Sequence, residues 1–203
     1  MGNRLLIAIP TTDYIPADFV KSLAKLQQEL GRRGIAYDVE VQSGTLVYIA
    51  RNRLANKAIN EKYTHVLWID SDMVFGEKVY EDLMEVGKEM VCGAFVSRRP
   101  PYGPCIYTSI EQNAIEKVKD FGIRPFRVDG CGFALVLTNV ELLQAVTQKF
   151  GTCFQPTDYY GEDLAFCWRV KQLGREIWCE PTVRPGHIAH VPVYAGQENL
   201  GVK

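Results

Sequence analysis

Residues 65–75 read HVLWIDSDMVF, an apolar run that stops at two aspartates one residue apart. Val66, Leu67, Trp68 and Ile69 are consecutive, so an extended segment here is apolar on both faces. A strand with one wet face would alternate instead. A continuous run belongs inside a parallel sheet covered on both sides, which restricts the chain to α/β architectures. Asp70 and Asp72 fall where that strand leaves the sheet. In open α/β sheets this carboxyl edge is where ligands bind.

The flanking pattern supplies the covering helices. Residues 4–10, RLLIAIP, read as a first buried strand. Pro16 and Asp18 open a helix in which Leu23, Leu26 and Leu30 recur at spacings of three and four, and Gly31 and Gly34 end it. A second strand is predicted at 35–42, a turn at Ser43 and Gly44, a helix over 47–61 and the strand at 65–70. The order β-α-β-α-β is that of a parallel sheet flanked by helices. Beyond it the pattern predicts a helix over 77–88 and strands at 90–96 and 132–138. Asn139 caps a helix over 140–149, and a helix over 162–173, closed by Gly174, precedes a strand at 176–180. The stretch SRRPPYGPC from 97 is turn-rich and reads as a loop closing over bound ligand, in which Arg98 and Arg99 either meet a diphosphate or stand in solvent. The 203 residues are expected to form one domain.

The charge balance narrows the partners. With 23 basic and 24 acidic residues and no long run of one sign, neither nucleic acid nor an anionic membrane is expected as the main partner. No apolar run approaches the roughly 18 residues that cross a bilayer. Six cysteines are scattered without a CxxC, so reduced cysteines in a cytoplasmic protein without a signal peptide are expected. The sequence leaves self-association open.

Three clusters carry chemistry. In an extended segment residues i and i+2 share one side, so Asp70 and Asp72 make a hard oxygen site for Mg²⁺ or Mn²⁺ with room for phosphate oxygens. Such a pair also occurs in ordinary loops, where carboxylates cap helices. Glu162 and Asp163 open a predicted helix. First-turn acids favour the helix dipole, and the same pair suits a general base acting on a hydroxyl. His187 follows a Pro-Gly turn, and a neutral imidazole there can complete a Mn²⁺ site begun by carboxylates. His190 is the weaker candidate, and His65, opening the buried strand, reads as structural.

The clusters occur in a definite order: RLLIAIPTTD, then YIARNRLANKAI with THVLWIDSDMVF, then VDGCGFALVLTNVELL, then GEDLAFCWRVKQLGREIWCEPTVRPGHIAH. In this the chain resembles a GT-A glycosyltransferase of the nucleotide-diphospho-sugar transferase superfamily, near its family 2-like members. The resemblance implies a Rossmann-like GT-A fold with a mostly parallel central sheet flanked by helices, its nucleotide-binding half over about 1–96 and its acceptor and donor-sugar half over about 97–203. It implies metal-dependent transfer of a sugar from a UDP- or GDP-sugar to the hydroxyl of a glycan, lipid-linked or small-molecule acceptor, with Mn²⁺ or Mg²⁺ as cofactor. Asp72 would bind the metal, Asp70 the ribose or the metal through water, and His187 would be the third protein ligand. Asp163 would be the catalytic base of an inverting enzyme, with Glu162 orienting the acceptor. Thr11, Asp13, Arg51 and Ser71 would line the nucleotide and diphosphate, and Gly130 and Gly132 would let the backbone approach the sugar. Two departures stand out: the second strand ends in VQSG where many relatives carry an acidic pair, and the closing motif reads His187-Ile188-Ala189 rather than His-Ile-Gly. Two alternatives accompany the resemblance. Asp70, Asp72 and Val74 also fit the start of a haloacid-dehalogenase-type phosphotransferase with Asp70 as nucleophile, and the same fold serves non-catalytic nucleotide-sugar binding.

Overall fold

A computed structural model of the chain describes residues 3–12 and 14–189. Strand and helix alternate first as β1 (Arg4–Pro10), α1 (Ala17–Arg32), β2 (Ala36–Gln42), α2 (Val47–Asn60) and β3 (His65–Ile69). There follow β4 (Met73–Val74), α3 (Val79–Glu85), β5 (Met90–Gly93), β6 (Ile106–Glu111), β7 (Ala114–Lys117), β8 (Phe126–Val128) and β9 (Gly130–Cys131). The remaining elements are β10 (Leu135–Asn139), α4 (Val140–Phe150), α5 (Glu162–Gln172), β11 (Ile177–Glu180) and β12 (Gly186–His187). The expected helices and strands are present with ends shifted by a few residues. Asn139 caps α4 through its side-chain oxygen, which accepts from Leu142 N at 2.8 Å. Gly174, at φ 69°, lets the chain reverse after α5.

Seven strands form the central sheet in the order β2-β1-β3-β10-β5-β11-β8. β2, β1, β3, β5 and β11 run one way, and β10 and β8 run against them. The molecule is therefore mixed α/β with a mostly parallel sheet flanked by helices. The strand expected at 132–138 is β10, and it lies antiparallel between β3 and β5. An apolar run reports burial, not direction. Right-handed crossovers put α1 and α2 on opposite faces, because β2 and β3 flank β1 on opposite sides. α2 packs beside α4, and α4 beside α5. On the other side the end of α1 reaches α3 through Arg33 and Glu81 at 2.9 Å. Among the described residues no helix is long and apolar enough to cross a membrane.

Burial follows the run that opened the argument. Leu5, Leu6, Ile7 and Ile9 of β1, and Val66 through Ile69 of β3, are 0% exposed. Each such side chain contributes about 1.5–3 kcal/mol relative to exposure. Trp68 meets an aromatic nest at the carboxyl end of β3. Its ring lies 6.0 Å from Phe133 and 5.1 Å from Phe154, which stacks on Phe166 at 4.8 Å. Phe166 belongs to α5, so the nest ties that helix to the end of β3. The Trp68 indole N–H donates to Thr138 Oγ1 at 3.0 Å, satisfying a fully buried polar pair. The six cysteines are free.

Two smaller sheets complete the fold. Residues 97–128, which carry no clear period, form β6 and β7 with β9 as a three-stranded sheet, and β8. β4 pairs antiparallel with β12.

Candidate functional site

The strand order reverses at β1, where the chain goes first to β2 and later to β3. Such a switch point opens a crevice at the carboxyl ends of the strands. A cavity of about 500 Å³ lies there, lined by Pro10, Thr11, Tyr14, Pro16 and Val47 together with Asp70, Ser71, Asp72 and Arg98. Thr11, just past β1, donates its hydroxyl to Ser71 Oγ at 2.9 Å, joining the two strand ends. Thr11 and Ser71, expected to line a nucleotide, both line this cavity. Asp13 and His190 lie outside the described residues.

The two aspartates do not act as one extended pair. Asp70 N donates to Ala134 O at 3.0 Å, continuing the pairing with the β10 side, and Met73 N then donates to Asp70 O at 3.3 Å. That second bond closes a turn, because the chain must swing from β3 into β4. Both side chains line the cavity, but they engage different partners. Asp70 Oδ1 accepts from Arg51 Nη2 at 2.7 Å. Asp72 faces His187 and Arg98.

The short ladder between β4 and β12 brings His187 to Asp72. His187 stands opposite Met73, and Ile188 N donates to Asp72 O at 2.8 Å. The imidazole Nε2 is then 3.3 Å from Asp72 Oδ2. His187 Nδ1 lies 3.0 Å from Val96 O. A carbonyl only accepts, so Nδ1 carries a hydrogen and Nε2 is the atom presented to Asp72. The Asp72 carboxylate raises the His187 pKa above its ordinary value. Burial works against ionised Asp72, but His187 and then Arg98 outweigh it and hold that carboxyl below its usual range. A carboxylate oxygen and an imidazole nitrogen this close suit a borderline cation such as Mn²⁺. Among the described residues no group of three or more His, Cys, Asp or Glu side chains can hold a metal ion. An ion here would therefore complete its shell with ligand oxygens or water, as Mg²⁺ and Mn²⁺ do with phosphates.

Arg51, expected to line the nucleotide and diphosphate, is not among the residues that line the cavity. It is 3% exposed and lies beneath the site, where Nη1 donates to Glu162 Oε1 at 2.5 Å while Nη2 holds Asp70. Its guanidinium sits 5.4 Å from the centre of the Phe133 ring. One buried cation thus joins the turn after β3 to the start of α5. Nothing in the local sequence around 51 announces this, because its partners lie 19 and 111 residues away.

Glu162 and Asp163 form the first turn of α5, as expected. Asp163 makes no ion pair among the described residues, and its Oδ1 accepts from Leu164 N at 2.7 Å. Burial raises its pKa above the ordinary carboxylate value, and the neighbouring Glu162 adds to the effect. The two glycines differ in purpose. A Cβ on Gly132 would lie 3.2 Å from the Phe95 ring and 3.7 Å from Asp163 Oδ2, so its smallness leaves room beside the acid. A Cβ on Gly130 would meet Ile110 Cγ2 at 2.9 Å and Leu164 Cδ2 at 3.1 Å. Gly130 therefore serves close packing of β9 against β6 and α5. Arg99 stays exposed, its N–H donating to Ser97 Oγ at 3.1 Å.

No family model and no curated protein matches the chain. Among solved structures it is similar to the crystal structure of A197 from STIV, with a TM-score of 0.65 and 18% identity over 94% of this chain and 87% of that one. That likeness bears on the fold alone and agrees with a mixed α/β molecule built on a large central sheet.

Proposed function

We propose that the protein is a metal-dependent glycosyltransferase of GT-A type, moving a sugar from a nucleoside-diphosphate sugar to an acceptor hydroxyl. The observation that carries this reading is the meeting of Asp72 and His187 at 3.3 Å on a cavity at the switch point of the sheet. Their approach depends on a dedicated two-stranded ladder between distant segments.

The cavity lining combines apolar and polar side chains. Tyr14, Pro16 and Val47 suit the flat face of a base, and the hydroxyls of Thr11 and Ser71 suit a ribose. Asp72 and His187 are the side chains that would hold Mn²⁺ or Mg²⁺. When bound, the ion supplies Lewis-acid stabilisation of the charge that develops on the departing diphosphate. Asp163 is the group suited to remove the acceptor proton: it makes no ion pair among the described residues, and burial raises its affinity for a proton. Glu162, fixed by Arg51, flanks it as a positioning carboxylate. Asp70 is less suited to attack phosphorus as a phosphotransferase nucleophile, because Arg51 already holds its carboxylate.

The test is thermal unfolding against a panel of UDP- and GDP-sugars with Mn²⁺ or with EDTA. A true donor at 100 times its dissociation constant should add about 2.7 kcal/mol in metal and far less in EDTA. Asp72→Asn should lose the metal-dependent part, and Asp163→Asn should retain it while losing turnover. Equal stabilisation in metal and in EDTA would sink the metal reading.

A further inference from the structure

Among the described residues lining the cavity, Arg98 is the only base, against the carboxylates of Asp70 and Asp72. Its guanidinium rests on Asp72 Oδ2, the oxygen that also faces His187 Nε2. An ion seated between Asp72 and His187 needs that oxygen, so Arg98 and the ion compete for one atom. The two partners are unequally free. The Arg98 side chain is 45% exposed and that of Asp72 only 20%. The arginine can leave; the aspartate is set in its turn. The backbone that carries Arg98 is itself closed, because Ser97 N donates to Gly103 O at 2.9 Å and Val96 pairs with Pro104. A side-chain swing is therefore enough.

From this arrangement we infer that Arg98 is a built-in cation that covers Asp72 until a divalent ion takes that oxygen, and then transfers to the anionic diphosphate entering the same cavity. The inference rests on the reading of Asp72 and His187 as a metal pair, and it adds an ordering to it. Metal alone breaks the Arg98 contact and leaves the guanidinium without an acid. Metal with a diphosphate breaks the same contact and supplies a new partner. Each ligand then tightens the other, and by linkage the factor is the same in both directions. The segment of Val96 and Arg98 also orients the imidazole, through Val96 O on His187 Nδ1. One stretch of backbone thus aims a metal ligand and carries the competing charge.

The experiment compares wild type, Arg98→Ala and Arg98→Met, with Asp72→Asn as control. Mn²⁺ alone is titrated by the electron paramagnetic resonance of the free ion, and inorganic pyrophosphate at saturating Mn²⁺ by calorimetry. Because an exposed pair contributes up to about 1 kcal/mol, both Arg98 variants should bind Mn²⁺ alone about fivefold more tightly. They should also bind pyrophosphate several-fold more weakly, and Asp72→Asn should bind no Mn²⁺. Unchanged Mn²⁺ affinity in Arg98→Ala and Arg98→Met would overturn the inference while leaving the metal pair standing. Tighter Mn²⁺ binding with unchanged pyrophosphate affinity would overturn the transfer to the diphosphate. Absence of Mn²⁺ binding in wild type and both Arg98 variants would overturn the metal reading together with the inference.

Discussion

Arg51 is a buried guanidinium with the carboxylates of Asp70 and Glu162 in contact and that of Asp163 close enough to raise its pKa. Desolvation opposes its charge, and the surrounding acids outweigh that cost. Its Nε is buried without a hydrogen-bond partner, so the pairing is incomplete and two ion pairs must carry the site. Removing the cation leaves the acids facing one another with nothing between them. Arg51→Ala should therefore lose about 3–5 kcal/mol of stability, the range for breaking a buried pair, as measured by urea unfolding. A loss under 1 kcal/mol would show that water reaches these carboxylates. Gly130 makes a second point at this scale. With Ile110 and Leu164 pressed on the space a Cβ would fill, Gly130→Ala should cost about 1–3 kcal/mol by overpacking. The glycine was legible as special in the sequence, but its reason was not, since a glycine's neighbours come from β6 and α5.

At the scale of elements, the ladder of β4 with β12 is the feature that makes the candidate metal pair. It is two residues long on each side and offers little stability of its own. Its value is register: the bond from Ile188 N to Asp72 O sets His187 beside the aspartate. Ile188→Pro removes that donor at the rim of the molecule, away from the seven-stranded sheet. Mn²⁺ affinity should fall at least tenfold in calorimetry while the urea midpoint stays within the error of wild type. Retained affinity would mean that His187 reaches the ion without the ladder. Neither strand has enough residues to show a period, so the sequence put Asp72 and His187 on one ion through the family resemblance and not through any pattern that pairs β4 with β12. The long elements behaved otherwise. α1 has Phe19, Leu26 and Leu30 buried along one face, and the spacing of its leucines between Pro16 and Gly31 placed it. Asn139 and Gly174 marked the ends of α4 and α5 because caps and left-handed turns are local chemistry.

At the scale of the whole molecule, the fold holds an acid where it is unwelcome. Burial raises the folded-state pKa of Asp163, so between the unfolded and folded values the native state binds the extra proton. Stability from this group therefore falls as pH rises through the carboxylate range and is lowest once Asp163 is ionised. Asp163→Asn keeps the acceptor for Leu164 N without the charge. The variant should be more stable than wild type at neutral pH, and the difference should vanish near pH 3.5, below the ordinary carboxylate value. Unfolding curves at the two pH values check this, and a variant less stable than wild type at neutral pH would refute it. A group kept at a cost in stability is the pattern expected of a working site.

What the sequence determined by itself was local or periodic. The apolar run ending at Asp70 called for a buried strand, the alternation of strand and helix called for a parallel-rich sheet, and the carboxyl ends of its strands called for a binding crevice. Those inferences need only the geometry of one element and the direction of its neighbours in the chain. Only the tertiary structure decided that β10 runs antiparallel, that the aspartates part company in a turn, that Arg51 lies beneath the site and that His187 and Arg98 converge on one oxygen of Asp72. These depend on contacts between residues far apart in the chain. Such contacts are chosen by packing and charge across elements, and no spacing along the sequence encodes them.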